Sequence, residues 1–279
     1  MLLNKIEKRA SVSKEVFYSE YLLKNKPLVF KDLVHSWPAF AKWSFDWFKK
    51  NHGHVQVPLH NNNSHNSGKN YMAAQRQMPL GDYINLLKQG PCDYRIFLFD
   101  LIKNIPELKK DFSSPEIMDG FLKSFAYLFF GGAGSYVYLH YDIDCSSVFL
   151  TQFEGRKKII LFAPDQTDYL YQHPFTAKSH INLHNPDYEK YPALKNARGY
   201  EVTIQHGETL FIPPLFWHFI TYESSGFSLS LRANNSLNHK AKGLVNIAKH
   251  FVVDKGMNKL LGKKWLAYKE QVAYKRSFR

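Results

Sequence analysis

The sequence predicts a mainly β fold, a sandwich or barrel of which the double-stranded jelly roll is one form. From about Tyr136 the chain consists of short β-type segments, and glycines separate several of them, at Gly155, Gly207 and Gly226. Many short strands with glycine turns are typical of such architectures. The predicted strands are Tyr136–Asp142, Val148–Phe153, Lys157–Phe162, Glu201–Ile204, Thr209–Ile212, His218–Tyr222 and Phe227–Leu231.

The N-terminal third, residues 1–93, predicts mixed helices and strands in front of this core. This prediction rests on amphipathic spacing, a capping serine, a polar loop and the helix-ending pair Gly90-Pro91. In order, the predicted elements are the helix Val16–Leu23, the strand Pro27–Phe30, the helix capped by Ser44, the loop His60–Lys69, the helix Leu80–Lys88 and the strand Tyr94–Phe99.

The C-terminal residues form a basic segment that differs from the rest of the chain. Lys240 to Arg279 contain eleven Lys/Arg and two Asp/Glu, a net charge of +9 out of the total of +13. Apolar residues recur there at helical spacing, from Leu244 to Val252 and again from Leu260 to Leu266. The pattern favours two amphipathic helices that pack on the domain or on a second subunit. The alternative is a docking surface for nucleic acid or an acidic partner.

Length and composition predict one domain over residues 1–235, with its jelly-roll core from about residue 94, and a helical extension over 236–279. The chain has 279 residues and 44% hydrophobic composition, enough for a substantial core. Two cysteines, Cys92 and Cys145, exclude a disulfide framework and favour a reducing compartment. The N-terminus lacks a signal-peptide pattern, and glycines interrupt the longest uncharged stretch. We therefore expect a cytoplasmic protein that does not span a membrane.

Two His-x-acid pairs are candidates for metal binding, His140-Tyr141-Asp142 and His206-Gly207-Glu208. A chain with 13 histidines and 24 acidic residues should contain roughly one such pair by chance, so the pattern alone is weak. Gly207 indicates a turn whose side chains diverge into solvent, which makes His206 structural. His140 and Asp142 instead end a predicted strand, where alternate side chains share one face and can converge on an ion.

His218 is the candidate third ligand. It follows two prolines in the apolar run GETLFIPPLFWHFITY and lies on another predicted core strand. A histidine in such a run is more often a hydrogen-bonded core residue, but its combination with His140 and Asp142 favours ligation. Two imidazoles and one carboxylate leave open positions on iron(II) for an organic acid and O2.

A lysine pair follows the Gly155 turn, in EGRKKIILF. A lysine on a strand beside the His-x-Asp strand is suited to bind a carboxylate of a 2-oxoglutarate co-substrate as a point charge. Strand alternation places one of Lys157 and Lys158 inward without deciding which. The alternative is that both belong to a solvated hairpin end.

Several ordered motifs resemble the JmjC/cupin-like 2-oxoglutarate oxygenases. They are HYD, EGRKKIILFAPDQ, NPDYEKYP, GETLFIP and WH, over about residues 136–235, with looser likeness further toward the N-terminus. The resemblance implies a jelly-roll core of the JmjC type, Fe(II) bound by His140, Asp142 and His218, and Lys157 as the 2-oxoglutarate lysine. It also implies homodimerisation through the C-terminal helices, as in the asparaginyl hydroxylases of this family.

The chain departs from those asparaginyl hydroxylases at several polar positions. Compared with them it has Phe97, Val137, Lys178, Arg232 and Asn234 where co-substrate or substrate contacts are expected. Tyr138 and Arg232 are the candidates for the missing polar contact to 2-oxoglutarate, and asparagine hydroxylation itself does not transfer.

These features predict an Fe(II)- and 2-oxoglutarate-dependent dioxygenase that hydroxylates an unactivated C–H bond with O2, foremost on a protein or peptide side chain. The connection Pro164–Arg198 is too long for a plain turn and should form the substrate rim. Alternatives are a hydroxylase of tRNA or of a small molecule, and a non-oxidative metal-binding or acid-binding protein.

Overall fold

The computed structural model describes residues 1–63, 73–97 and 99–278, in which fourteen strands form two β-sheets. The strands are β1 (Leu2–Lys5), β2 (Lys8–Arg9), β3 (Leu28–Phe30), β4 (Gln56–His60), β5 (Arg76–Pro79), β6 (Arg95–Ile96), β7 (Phe121–Gly131), β8 (Tyr136–His140), β9 (Ser147–Glu154), β10 (Lys157–Phe162), β11 (Arg198–Ile204), β12 (Thr209–Ile212), β13 (Trp217–Tyr222) and β14 (Gly226–Ala233).

The two sheets confirm the predicted jelly roll. The smaller sheet has the order β1-β11-β10-β13-β8, and the larger has the order β2-β3-β12-β9-β14-β7-β6-β4-β5. From β7 to β14 each strand lies in the other sheet from the strand before it, except that β10 and β11 follow one another in the smaller sheet. Neighbouring strands in the core are antiparallel. Aliphatic side chains of β10 and β11 pack against those of β9 and β12, so the two sheets enclose a common apolar core.

All seven strands predicted from Tyr136 onward are present, and Lys157–Phe162 and Thr209–Ile212 have the predicted bounds. Of the predicted strand Tyr94–Phe99, only β6 pairs with neighbouring strands among the described residues, Leu98 lies outside them, and Asp100 then caps a helix. The strand β7 was not predicted. Of the predicted loop His60–Lys69, His60 ends β4, and residues 64–69 lie outside the described part of the chain.

The N-terminal helices cover the larger sheet with aromatic side chains. The helices before the core are α1 (Lys14–Phe17), α2 (Pro38–Lys42), α3 (Phe45–His52), α4 (Leu80–Gln89) and α5 (Leu101–Asn104). Helix α3 begins as predicted, since Ser44 Oγ accepts from the backbone N–H of Trp47 at 3.1 Å. The predicted helix Val16–Leu23 is a short α1 continued by a wider π-helical segment, Tyr18–Leu22.

The basic C-terminal segment forms three helices, α6 (Leu237–Ala248), α7 (Lys255–Leu261) and α8 (Lys263–Arg276). A π-helical segment, Lys249–Asp254, connects α6 to α7. Trp265, one of the apolar residues at helical spacing, is buried within the chain, and its Nε1–H donates to Asp254 at 2.9 Å. Within the described residues, no helix has the length and apolar composition needed to cross a membrane.

The long connection after β10 is packed rather than open. It contains the 3-10 turns Pro164–Leu170 and Pro192–Asn196. Its buried side chains form a second apolar cluster with Leu139 of β8 and Ala273 of α8. The connection and the last helix therefore pack against β8, the strand that leads to His140.

Candidate metal centre

The structure brings the three predicted metal ligands together at one end of the smaller sheet. His140 ends β8 and lies directly opposite His218 of β13, with ring centroids 4.2 Å apart. Asp142 lies in the turn after β8 rather than on the strand as predicted. One possible ligand atom from each of the three residues lies within 4.8 Å of the others.

In both histidines Nε2 is the ring nitrogen available to a metal, because Nδ1 is hydrogen-bonded to a backbone carbonyl. Nδ1 of His140 donates to the carbonyl of Tyr138 at 2.8 Å, and Nδ1 of His218 donates to the carbonyl of Phe216 at 3.1 Å. A ligating histidine typically donates its second N–H in this way, which sets the tautomer and the orientation of the ring. The backbone of β8 and of the turn before β13 therefore prepares both rings as donors to a metal.

The charges of the three groups are those that a divalent cation needs. Burial, together with the neighbouring His218, lowers the pKa of His140 to about 3, and burial also lowers the pKa of His218. Burial would raise the pKa of Asp142, but Arg232 and the two histidines outweigh it and lower this pKa to about 2. Two neutral imidazoles and one carboxylate fit iron(II), with positions left for other ligands.

Arg232 lies behind Asp142, with partners other than the predicted co-substrate. Its Nη2 donates to Asp142 Oδ1 at 2.6 Å, and its Nη1 donates to Asp144 Oδ1 at 2.7 Å and to Ser146 Oγ at 3.3 Å. The guanidinium fork is thus engaged by two carboxylates. These contacts orient Asp142, and the contact of Arg232 with 2-oxoglutarate stays a prediction.

Lys157 points into the space between the sheets. Its side chain is 1% exposed, and Nζ donates to Ser228 Oγ and to the Phe129 carbonyl, and lies 4.3 Å from the ring centroid of Tyr222. Burial lowers its pKa well below the ordinary value of 10.5. Among the described residues, no carboxylate forms an ion pair with it. A buried ammonium of this kind is suited to bind a carboxylate ligand.

The neighbouring lysine faces the other way. Lys158 pairs with Glu201 at 3.0 Å on the outer face of the smaller sheet, and its side chain is 43% exposed. Strand alternation therefore operates as expected, and the structure selects Lys157 as the inward residue. Tyr138 is buried beside the metal centre, with its ring centroid 5.2 Å from that of His140.

The other His-x-acid pair lies elsewhere. His206 is exposed on the turn between β11 and β12, where its Nδ1 is 2.6 Å from the carbonyl oxygen of Phe153. Glu208 does not diverge into solvent as predicted, because it is buried in an ion pair with Lys8 at 2.7 Å. The described residues of this turn form no group of three possible metal ligands.

Neither the carboxylate Asp144 nor the hydroxyl Ser228 was predicted from the sequence. Asp144 continues the alternation His140, Asp142, so this spacing was a signal for it. Ser228 lies on β14 in the opposite sheet, 71 residues from Lys157, and its position depends on the packing of the two sheets.

The comparisons with known proteins agree with this fold. A family described as "Cupin-like domain" matches residues 13–238. Lysine-specific demethylase 8 of Xenopus tropicalis is 32% identical over 235 residues, which cover 78% of this chain and 50% of the relative. JmjC domain-containing protein D of Dictyostelium discoideum is 29% identical over 260 residues, 82% of this chain and 55% of the relative.

A third relative is named for tRNA rather than for lysine demethylation or the JmjC domain. The tRNA wybutosine-synthesizing protein 5 of Gallus gallus is 26% identical over 242 residues, 79% of this chain and 74% of the relative. The chain spans about half the length of the first two relatives. The family match covers most of the chain and both sheets of the jelly roll, and we conclude that this protein belongs to the cupin-like family of JmjC-type domains.

Proposed function

We propose that the protein is an Fe(II)- and 2-oxoglutarate-dependent dioxygenase that hydroxylates an unactivated C–H bond. The observation that carries the proposal is the convergence of His140, Asp142 and His218 within 4.8 Å, with both Nε2 atoms available. When bound, iron with O2 and 2-oxoglutarate supplies the oxidative decarboxylation and the oxidation of the substrate. The chain's own residues bind and orient these groups.

Each residue has a distinct part in this proposal. His140, Asp142 and His218 hold the metal, and Arg232 keeps the carboxylate of Asp142 ionised and oriented. Lys157 binds the carboxylate of 2-oxoglutarate that is distant from the metal, from its buried position on β10. Tyr138 lines the site beside His140 and is the second candidate contact to the co-substrate.

Spectroscopy of the anaerobic Fe(II) protein tests the reaction class. Addition of 2-oxoglutarate should produce a metal-to-ligand charge-transfer band near ~500 nm, because the keto acid chelates the iron. Succinate should then form when O2 is admitted. If the protein binds metal but shows no charge-transfer band with 2-oxoglutarate, a non-oxidative metal-binding function is supported. If it binds 2-oxoglutarate without metal, an acid-binding function is supported.

For the substrate, we propose a protein or peptide side chain. A relative that is 32% identical is named as a lysine-specific demethylase and one that is 26% identical as a tRNA wybutosine-synthesizing protein, so their names support two substrate classes. A peptide-library screen by mass spectrometry, with a gain of one oxygen as the signal, tests the first class. Modification of tRNA but of no peptide would instead favour the second.

Replacing Arg232 by methionine should destabilise the metal-free protein. Arg232 pairs with Asp142 at 2.6 Å and with Asp144 at 2.7 Å, and its side chain is only 19% exposed. Its loss leaves two carboxylates close together without their cation, which should lower the free energy of unfolding by about 3 kcal/mol. Urea unfolding of the metal-free protein measures this, with exposed Arg156→Met as the control. Equal midpoints for the two variants would contradict the bridging role of Arg232.

We also propose that the C-terminal helices mediate homodimerisation. Large apolar side chains are exposed on them, including Leu237, Leu244, Val245, Phe251, Val252, Leu260 and Leu261. Burying such surface against a second copy would stabilise a dimer, with the lysines at its rim.

The two free cysteines and the absence of a predicted disulfide framework support a cytoplasmic location.

Leu260→Arg should yield monomers in sedimentation, because Leu260 is 77% exposed and the variant places a charge in the proposed interface. Lys259→Glu is the control, since it changes the charge of the adjacent position without removing apolar surface. If the wild type is a monomer that shifts only with tRNA at low salt, the segment binds nucleic acid instead.

A further inference from the structure

Helix α6 approaches the loop that carries the predicted ligand Asp142. Gly243 of α6 faces the backbone of Asp144, and a Cβ atom on Gly243 would lie 2.5 Å from the Asp144 carbonyl oxygen and 2.9 Å from its carbon. No larger side chain fits at those distances without a shift of one backbone or the other. The helix backbone therefore packs directly on the backbone of the loop.

The same helix contacts the next residue of the loop. Cys145 is fully buried and has a φ of 56°, a left-handed conformation that is unfavourable for a residue with a Cβ. Asn246 donates from Nδ2 to Cys145 Sγ at 3.4 Å, and it shares a face of α6 with Gly243. Such conformations persist only where surrounding contacts hold them, and here α6 provides some of those contacts.

Arg232 contacts side chains of the same loop. From β14 it donates to Asp142 Oδ1, Asp144 Oδ1 and Ser146 Oγ. The loop from Asp142 to Ser146 is thus contacted both by the guanidinium of Arg232, through its side chains, and by α6, through the backbone of Asp144 and the thiol of Cys145.

The C-terminal helices are themselves attached to the domain beyond α6. Trp265 stacks on Phe175 of the long connection, with ring centroids 5.9 Å apart. Lys269 and Asp254 form a buried ion pair at 2.6 Å between α8 and the π-helical segment. Ala273 of α8 packs in the apolar cluster that contains Leu139, next to His140. These contacts give α6 a defined position against the loop.

We infer that the C-terminal helices are part of the metal centre, in which Gly243 and Asn246 position the loop that presents Asp142. This inference rests on the proposed metal-binding function. It makes both residues positioning residues, 101 and 104 positions after the ligand that they support. Metal affinity should then depend on a surface of α6 that contacts no metal ligand side chain.

Gly243→Ala in the full chain tests the inference, with Gly256→Ala as the matched control. Both changes gain the same helix propensity, but nothing lies within 4 Å of a Cβ at Gly256. Titration with Co(II), followed by its visible absorption, measures affinity without turnover. We expect Gly243→Ala to weaken Co(II) binding by about 10- to 100-fold, the usual effect of disturbing groups behind a metal ligand. Gly256→Ala should bind as the wild type does.

Asn246→Ala provides the second variant, because it removes one side-chain contact and introduces no clash. It should weaken Co(II) binding several-fold while the melting temperature of the metal-free protein stays near that of the wild type. Wild-type affinity in both the Gly243 and Asn246 variants would overturn the inference, as would an equal loss in Gly256→Ala. A wild-type protein that binds neither Co(II) nor Fe(II) would instead overturn the proposed function.

Discussion

Alanine at His140, Asp142 or His218 should abolish stoichiometric metal binding and 2-oxoglutarate decarboxylation. Each residue supplies one of three possible ligand atoms that lie within 4.8 Å of one another. Changing a residue that only supports a ligand already costs about 10- to 100-fold in affinity, so loss of a ligand itself should cost at least about 100-fold. Elemental analysis after anaerobic reconstitution with Fe(II) measures the metal, and succinate formation measures turnover.

His206→Ala is the matched control, since it removes a histidine from the other His-x-acid pair. His206 lies on an exposed turn and contacts the Phe153 carbonyl and the ring of Phe40, 4.7 Å away between centroids. Its loss should cost some stability and leave the iron content unchanged. An iron-free His206 variant beside an iron-loaded His218 variant would show that the ligand assignment is wrong.

The strands that the sequence predicted include all seven from β8 to β14, whereas β7 was not predicted although it pairs with β14. Alternation of side chains and glycine turns define β10 and β12 locally, and their bounds were predicted correctly. The strand β1 depends on a partner far along the chain, because Leu2 pairs with Arg198. The local pattern contains no information on such pairing, so neither β1 nor the pair of β4 and β5 was predicted.

The part of the site that residue chemistry and strand alternation define could be predicted from the sequence. The types and spacing of His140 and Asp142, with His218 on a second strand, were sufficient to propose the group. Alternation could not choose between Lys157 and Lys158 by itself, because the register after the Gly155 turn was unknown. The contacts of Arg232 with Asp144, 88 residues apart, depend on how β14 pairs with its neighbours and were beyond a local pattern.

Replacing Lys157 by methionine should weaken co-substrate binding and stabilise the metal-free protein. A charge-assisted hydrogen bond contributes about 1.5–3 kcal/mol, so its loss should raise the KM for 2-oxoglutarate roughly 10- to 100-fold. The buried ammonium has no acidic partner among the described residues, and methionine keeps its apolar stem. The melting temperature should therefore rise by at least about 2 °C, the shift that 1 kcal/mol produces in a domain near this size.

Lys158→Met is the control for both effects. Lys158 is on the outer face, and its partner Glu201 also binds Lys5 at 2.6 Å. Neither the KM for 2-oxoglutarate nor the melting temperature should change appreciably, because an exposed ion pair contributes about 0–1 kcal/mol. Equal changes in KM for the two variants would mean that Lys157 is not the co-substrate residue.

The stability gain of Lys157→Met should also depend on pH. Burial lowers the pKa of Lys157 well below its value of 10.5 in an unfolded chain. Below the lowered pKa both states are protonated and the penalty for the buried charge is complete. Between the two pKa values the unfolded chain binds a proton that the folded protein lacks, so the stability of the wild type rises with pH. The advantage of the variant should thus shrink as pH rises toward 10.5, measured by thermal unfolding against Lys158→Met. An advantage that stays constant or grows would contradict a buried, unpaired ammonium at this position.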